Sequence, residues 1–136
     1  MKLKSIIVCA GLLAFTFSQV TNAQGQKKAE PWPVPAAEKS KANPCQADAA
    51  TLQLGTSSWS KNCASCHGKT GLGDGVKGRM CKTNPGNFST AEFQAFTDGE
   101  LFYRTKTGRN EMPAFDKKIP DNEIWALVHH MRSFKK

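Results

Sequence analysis

Residues 62–68 read NCASCHG, with two cysteines three positions apart and a histidine directly after the second. This spacing of Cys63, Cys66 and His67 is typical of three kinds of site: a covalently attached haem, half of a zinc site, or a redox-active dithiol. Each kind needs different residues elsewhere in the chain, so the rest of the sequence decides among them.

The zinc site and the dithiol both lack the residues that they need. A structural zinc site takes four protein ligands, usually from two paired clusters. Cys45 and Cys81 do not form a second pair, and His129 and His130 are adjacent near the C-terminus. A redox-active dithiol of the thioredoxin type is expected beside a β-α-β pattern, and no stretch of this sequence predicts a strand.

The predicted secondary structure is helical. A first helix is expected from about Asp48 into the cysteine motif, and a short one after Thr90. Another has Asp98 as its cap and ends at Gly108. The last, DNEIWALVHHMRSFKK, is capped by Asp121 and carries an apolar stripe on one face. The stripe consists of Ile124, Leu127, Val128, Met131 and Phe134. The chain therefore predicts a small all-α domain with long loops.

The stretch GKTGLGDGVKG, which follows the motif, is predicted to be a loop because glycine recurs through it. Its composition also suits a phosphate-binding loop. That interpretation requires a preceding strand and a following helix, and the sequence predicts neither at this place.

The first 23 residues are predicted to be a cleaved secretory signal peptide. Lys2 and Lys4 precede an apolar run, and a small-residue site ends at Ala23. The run is shorter than the roughly 20 apolar residues that a membrane span needs. We therefore expect no membrane span after cleavage and a periplasmic or otherwise exported protein.

Residues 24–44 are rich in proline, alanine and lysine, and they are predicted to form an extended tether without helix. Trp32 is the one aromatic residue of this segment and can dock on the folded domain. That domain is expected to comprise residues 45–136, a size typical of a single domain.

The remaining interpretation of the motif is a c-type haem. Cys63 and Cys66 lie one helical turn apart, so both sulfurs face the same side and can bond the two vinyl groups of one porphyrin. The imidazole of His67 is then placed to bind the iron. Covalent attachment of this kind takes place outside the cytosol, in agreement with the predicted export.

Four residues are candidates for the other axial position of the iron: Met112, Met80, His129 and His130. A thioether opposite a histidine gives a six-coordinate iron suited to electron transfer. Met112 is far enough along the chain from His67 to reach the opposite face of the ring, and Pro113 fixes its loop. Met80 is much closer to His67 in sequence, which makes that crossing harder. We therefore expect Met112 to be the distal ligand.

Four stretches in chain order resemble the class I cytochromes c, which are monohaem electron carriers: CASCHG, GLGDG, ELFYRTKTGRNEMPAF and DNEIWALVHHMRSF. The resemblance extends over about residues 48–134. It implies that the first and last helices cross and pack together around one covalently bound haem c. It also implies attachment through Cys63 and Cys66, with His67 as the proximal ligand and Met112 as the distal ligand.

The chain departs from many members of that family after GDG. A proline is common there, and its carbonyl orients the proximal imidazole, whereas this chain has Val76. A valine carbonyl can accept the same hydrogen bond from a less rigid loop. The partner of His67 therefore stays open.

After the predicted signal peptide, Cys45 and Cys81 are the cysteines left over by the haem interpretation. In an oxidising compartment, two such thiols most simply pair. We therefore expect a disulfide between them, which would stabilise the fold by roughly 3–4 kcal/mol.

The formal net charge of +8 predicts a basic surface that attracts acidic partners. The basic residues are scattered and no recognition motif accompanies them, so nucleic-acid binding is not expected. Lys69, Lys77, Lys82 and Lys106 lie in segments that can surround the exposed haem edge. An acidic surface on a redox partner is the expected docking target.

The expected function is one-electron transfer between exported or membrane-bound redox partners, by a monomer that is not an enzyme. Two alternatives stay open. The first is a haem c subunit of a larger oxidoreductase complex, with residues 24–44 reaching a partner or the membrane. The second is an open iron site, as in a gas sensor or a peroxidase.

Overall fold

The computed structural model of the protein describes residues 31–136. Its helices are α1 (Ala36–Lys39), α2 (Ala49–Asn62), α3 (Ala64–His67), α4 (Ala91–Gln94), α5 (Asp98–Thr107) and α6 (Asp121–Arg132), with a 3-10 turn at Gly78–Met80. No β-strand forms in the described residues, and the predicted all-α class is confirmed. The predicted signal peptide, residues 1–23, lies outside them, as do residues 24–30. Across the described part of the chain, no helix is both long and apolar enough to traverse a bilayer.

Side-chain caps fix where the helices begin. The Asp48 carboxylate accepts a hydrogen bond from the Thr51 amide at 2.8 Å, at the predicted start of α2. At α5 the cap is Thr97, one residue before the predicted Asp98. The Thr97 hydroxyl accepts from the Glu100 amide at 3.2 Å, and the Glu100 carboxylate accepts from the Thr97 amide at 2.9 Å. This reciprocal pair satisfies two amides that the first turn leaves without helical partners.

Asp98 instead joins α5 to α6. It is the first residue of α5, and its carboxylate accepts from Nη2 of Arg132 at 2.6 Å and from Nε at 2.9 Å. Arg132 also donates to the carbonyl of Phe96 at 2.5 Å. Asp121, predicted as the cap of α6, is likewise the first helical residue and follows Pro120. Both acidic side chains therefore stay near a helix N-terminus, where negative charge is favourable.

The predicted packing of the first and last helices of the domain is confirmed by α2 and α6. The two backbones approach so closely that a Cβ at position 55 would lie 2.3 Å from the carbonyl oxygen of Ala126. Gly55 is therefore required by the close approach of the helices. Trp59, one turn further along α2, is buried with Leu127 and Val128 of α6. These side chains form the centre of the hydrophobic core.

The predicted absence of helix from residues 24–44 is wrong at α1, and the described residues of this segment do not form an extended tether. Prolines 31, 33 and 35 all precede α1, and Pro35 occupies the cap position, so none interrupts the turn. Val34 is buried, and the indole of Trp32 packs against the side chains of Arg104 and Arg109. We call residues 31–44 the N-terminal strap. The division of the chain at residue 45 stays a prediction.

The contact between α2 and α6 predicts the effect of Gly55→Ala. Alanine favours helix over glycine by up to about 1 kcal/mol, but its Cβ would collide with the Ala126 carbonyl. Forcing extra volume into a packed interface costs about 1–3 kcal/mol. We expect a net loss of stability, measured as a lower denaturant midpoint of the holoprotein.

The matched control for Gly55→Ala is Gln53→Ala, which changes an exposed position of the same helix. It should leave the midpoint nearly unchanged. Equal midpoints for Gly55→Ala and the parent protein would contradict the required close approach.

Candidate functional site

The three residues of the cysteine motif lie on one helical turn. Cys63 is buried and precedes α3, and its carbonyl accepts hydrogen bonds from the amides of Cys66 at 3.1 Å and His67 at 3.0 Å. Burial raises the pKa of the Cys63 thiol to about 12, and the neighbouring Cys66 adds to this shift. A redox-active dithiol requires a lowered thiol pKa. The structure therefore disfavours that interpretation.

The glycine-rich loop packs against the backbone of the motif. A Cβ at Gly78 would lie 2.1 Å from the carbonyl oxygen of Cys66, and one at Gly75 would lie 2.5 Å from that of Ser65. The Lys77 amide donates to the same Ser65 carbonyl at 2.9 Å. The two glycines are thus needed for close approach to the motif, which gives them a role other than phosphate binding.

The imidazole of His67 lies in an aromatic environment. Its ring centroid is 4.8 Å from that of Phe88 and 5.8 Å from that of Trp59. Trp59 also donates through Nε1 to the carbonyl of Gly68 at 3.1 Å, which ties the core to the end of the motif. The side chain that anchors α2 against α6 therefore also packs against His67.

Burial keeps His67 in its neutral form. It lowers the pKa of His67 to about 4, and interaction with the backbone of Pro85 opposes this shift. Nδ1 is buried and has no hydrogen-bond partner among the described residues. A neutral imidazole is the form that binds metal. The backbone that acts on the pKa of this imidazole is that of Pro85, and nothing in the sequence distinguishes Pro85 from the other prolines.

Met112 lies in a tight turn between α5 and α6. The Arg109 amide donates to the Met112 carbonyl at 2.8 Å, and the Met112 amide donates back to the Arg109 carbonyl at 3.0 Å. Asn110, between them, has a φ of +52°, which asparagine tolerates better than most residues. We call residues 109–112 the Met112 hairpin. Its half-buried methionine is held by reciprocal backbone hydrogen bonds.

Glu111 connects the Met112 hairpin to the segment that follows Cys81. Its carboxylate accepts from the amide of Lys82 at 3.1 Å and from the amide of Thr83 at 3.2 Å. Burial, Glu111 and Cys66 all raise the pKa of the Cys81 thiol. Sequence reasoning missed Glu111, because its hydrogen-bond partners are almost 30 residues earlier in the chain.

The predicted disulfide between Cys45 and Cys81 is wrong, because both residues are free thiols in this structure. The Cys45 carbonyl lies 2.8 Å from Nε2 of His129, on α6. The Cys81 thiol instead donates to the carbonyl of Lys77 at 3.5 Å and lies beside Cys66. An oxidising compartment favours a disulfide between two leftover thiols. In the fold, however, Cys45 and Cys81 each lie next to other residues.

The donor set fits a c-type haem. Two thiols and a neutral imidazole share one turn, and a polar imidazole atom without a partner is buried among aromatic rings. Within residues 31–136, no group of three or more histidine, cysteine or acidic side chains could hold a metal ion by itself. The described residues thus do not complete the ligand set of a zinc site.

Family comparison agrees with this donor set. Residues 50–131 match the family described as cytochrome c oxidase, cbb3-type, subunit III, and this match covers more than half of the chain. The chain belongs to this family. It is a class I monohaem c-type cytochrome, and its family implies one covalently bound haem c.

Two solved structures resemble the cytochrome. A chain of the Kuenenia stuttgartiensis reducing HAO-like protein complex Kustc0457/Kustc0458 is 28% identical, with a TM-score of 0.62 over 68% of this chain and 47% of that chain. The c-type cytochrome KustC0563 is 32% identical, with a TM-score of 0.52 over 60% of this chain and 98% of that chain. The cytochrome thus spans about half the length of the first. No curated protein sequence matches it.

Haem attachment through the motif predicts the behaviour of a double serine variant. Replacing Cys63 and Cys66 by serine removes both sulfurs that can form thioethers. We expect the variant to lose its haem to acid acetone, while the parent protein keeps its colour in the precipitate.

Cys81→Ser is the matched control, because it removes the thiol that lies beside Cys66 outside the motif. It should retain haem as the parent protein does. Colour that stays with the double serine variant would contradict attachment through Cys63 and Cys66.

Proposed function

We propose that this cytochrome is a one-electron carrier, with Cys63 and Cys66 attaching the haem and His67 and Met112 as its axial ligands. The bound haem supplies an iron that cycles between its ferric and ferrous states. The main support is the link from Glu111 to the Lys82 and Thr83 amides, which holds the Met112 hairpin to the segment after Cys81. In this role no bond of a substrate is made or broken.

The residues around the site favour fast electron exchange by restricting motion and excluding water. Phe115 is buried three residues after Met112, and its amide donates to the carbonyl of Lys106 at 3.1 Å. Trp125 is also buried and stacks on Phe102, with ring centroids 4.0 Å apart. A rigid, dry environment lowers the rearrangement that accompanies a change of charge on the metal.

We further propose that the cytochrome is exported and acts as a monomer between two redox proteins. Its c-type family supports export, since covalent haem attachment takes place outside the cytosol. The lysine and apolar segments of the predicted signal peptide, residues 1–23, support the same location.

The proposed docking face comprises Lys69, Lys77 and Lys82, whose side chains are exposed. Lys77 and Lys82 flank the Cys81 thiol, which lies beside Cys66. Lys106, which the sequence also suggests, contributes less, because its ammonium lies 2.8 Å from both carboxylate oxygens of Asp121. None of these three lysines has an ion-pair partner within residues 31–136, and their charges favour a partner with an acidic surface.

The proposed ligation predicts the effect of Met112→Ala on the optical spectrum. The parent protein should show a low-spin c-type spectrum with a sulfur-to-iron charge-transfer band. Removing the thioether should abolish that band and let carbon monoxide bind the ferrous protein quickly, whereas the parent protein should resist carbon monoxide.

Met80→Ala is the matched control for ligation, because it removes the other candidate thioether, which is 81% exposed. It should leave the band unchanged. A band that survives Met112→Ala would rule out this ligand. Rapid binding of carbon monoxide to the parent protein would favour the open iron site.

If docking uses the face formed by Lys69, Lys77 and Lys82, the rate of electron transfer should depend on ionic strength and on which lysine is replaced. Raising the ionic strength should slow electron transfer to an acidic partner, because salt screens exposed charges. Lys82→Gln should slow transfer at low salt more than Lys106→Gln, which removes the same charge from outside the face. Rates that are insensitive to both changes would count against this docking mode.

A second candidate function is a haem c subunit of a larger oxidoreductase complex. The observation that favours it is the 28% identity to a chain of the reducing HAO-like protein complex. Purification from the native source distinguishes the two functions. A carrier elutes alone at the mass of the single chain, whereas a subunit elutes with its partners.

A further inference from the structure

We propose that the N-terminal strap positions the Met112 hairpin, with Trp32 and Arg109 as the positioning residues that join them. The proposal rests on the proposed function, because it concerns how firmly Met112 is held in place as a ligand. It assigns a role to a segment that lies outside the residues matched by the family, which begin at residue 50.

The strap and the hairpin meet at Arg109. The guanidinium of Arg109 donates through Nη1 to the carbonyl of Pro31 at 2.8 Å. It also lies 5.6 Å from the centroid of the Trp32 ring. The Arg109 side chain is therefore restrained twice, by a hydrogen bond that its charged guanidinium donates and by a cation-π contact.

Arg104 of α5 also contacts Trp32. It donates through Nη2 to the carbonyl of Trp32 at 3.4 Å, and its guanidinium lies 5.8 Å from the ring centroid. The same guanidinium lies 3.8 Å from the ring centroid of Phe96, which fixes its own position. Trp32 is thus held by α5 as well as by the hairpin, so it forms a fixed support.

The rest of the strap is anchored away from the hairpin. The Lys39 carbonyl accepts from the Thr97 hydroxyl at 2.8 Å, and the Lys39 ammonium lies 3.2 Å from the Glu100 carboxylate. A Cβ at Gly99 would lie 2.0 Å from the carbonyl oxygen of Glu38, so α1 and α5 are in close contact. These contacts keep the strap on α5 even when the contact between Trp32 and Arg109 is lost.

Restraint of Arg109 is also restraint of Met112, because two reciprocal backbone hydrogen bonds join these residues. Glu111 ties the same hairpin to the segment after Cys81. The hairpin is therefore held on both sides, by the strap and by this segment. Loops open locally when few contacts hold them. Removing the strap contact should raise the fraction of time that Met112 is out of place.

The test compares holoproteins carrying Trp32→Ala and Asn43→Ala. The Asn43 side chain donates to the Trp125 carbonyl at 3.1 Å, so Asn43→Ala removes a strap contact that does not involve the hairpin. Two quantities are measured: hydrogen exchange of the Met112 amide, and the pH at which the charge-transfer band disappears. The second reports ligation, because a lysine that loses its proton at high pH can compete with the thioether.

We expect Trp32→Ala to speed exchange of the Met112 amide at least about fivefold and to lower the pH at which the band is lost. Asn43→Ala should change neither. Exchange of the Val128 amide in α6 should be the same in all three proteins, which separates a positioning role from a loss of global stability. Trp32→Phe retains an aromatic face for Arg109. Its exchange rate and pH midpoint should therefore lie between those of Trp32→Ala and the parent protein.

Three results would overturn the proposal. Unchanged exchange and an unchanged pH midpoint in Trp32→Ala would overturn the strap's role alone, if the parent protein shows the band and Met112→Ala loses it. Equal effects of Trp32→Ala and Asn43→Ala would do the same. A parent protein without the band would overturn the ligation by Met112, and the positioning role would fail with it.

Discussion

The close approach of α2 to α6 at Gly55 is the contact on which the rest of the structure depends. It places Trp59 at the centre of the core, where its rings pack against Phe134 of the C-terminal segment at 5.0 Å and against His67 at 5.8 Å. The indole N–H also binds the carbonyl of Gly68. One helix contact thus determines both the core and the environment of His67, because the side chain of Trp59 belongs to both.

Around the cysteine motif, the neighbouring segments pack mainly against its backbone and less against its side chains. The glycine-rich loop lies directly on the carbonyls of Ser65 and Cys66. The backbone of Pro85, further along, acts on the pKa of the His67 imidazole. Burial by these segments keeps the ring neutral, and the absence of charge is what a ligating histidine requires. Loops without regular structure therefore hold the site rigidly, since glycine allows them to pack without gaps.

The Met112 hairpin shows how a short turn is connected to distant segments of the chain. Glu111 binds two amides beyond Cys81, and Arg109 binds the strap. Its own turn is too short to fix its place in the domain. Two charged side chains that precede the methionine, those of Arg109 and Glu111, supply contacts to distant segments. The basic surface and the Met112 hairpin thus use charge differently: the lysines of the surface are exposed, whereas the charges of the hairpin make contacts within the molecule.

The sequence by itself determined the helical class, the extent of most helices, and the haem motif at Cys63, Cys66 and His67, because these follow from local periodicity and spacing. It also predicted that the terminal helices of the domain pack together, through a family resemblance. Tertiary structure alone decided the free thiols of Cys45 and Cys81, the interaction of the Pro85 backbone with His67 and the docking of the strap. Each of these depends on which segments, distant in sequence, lie next to each other in the fold. The local sequence pattern does not encode the spatial separation of such segments.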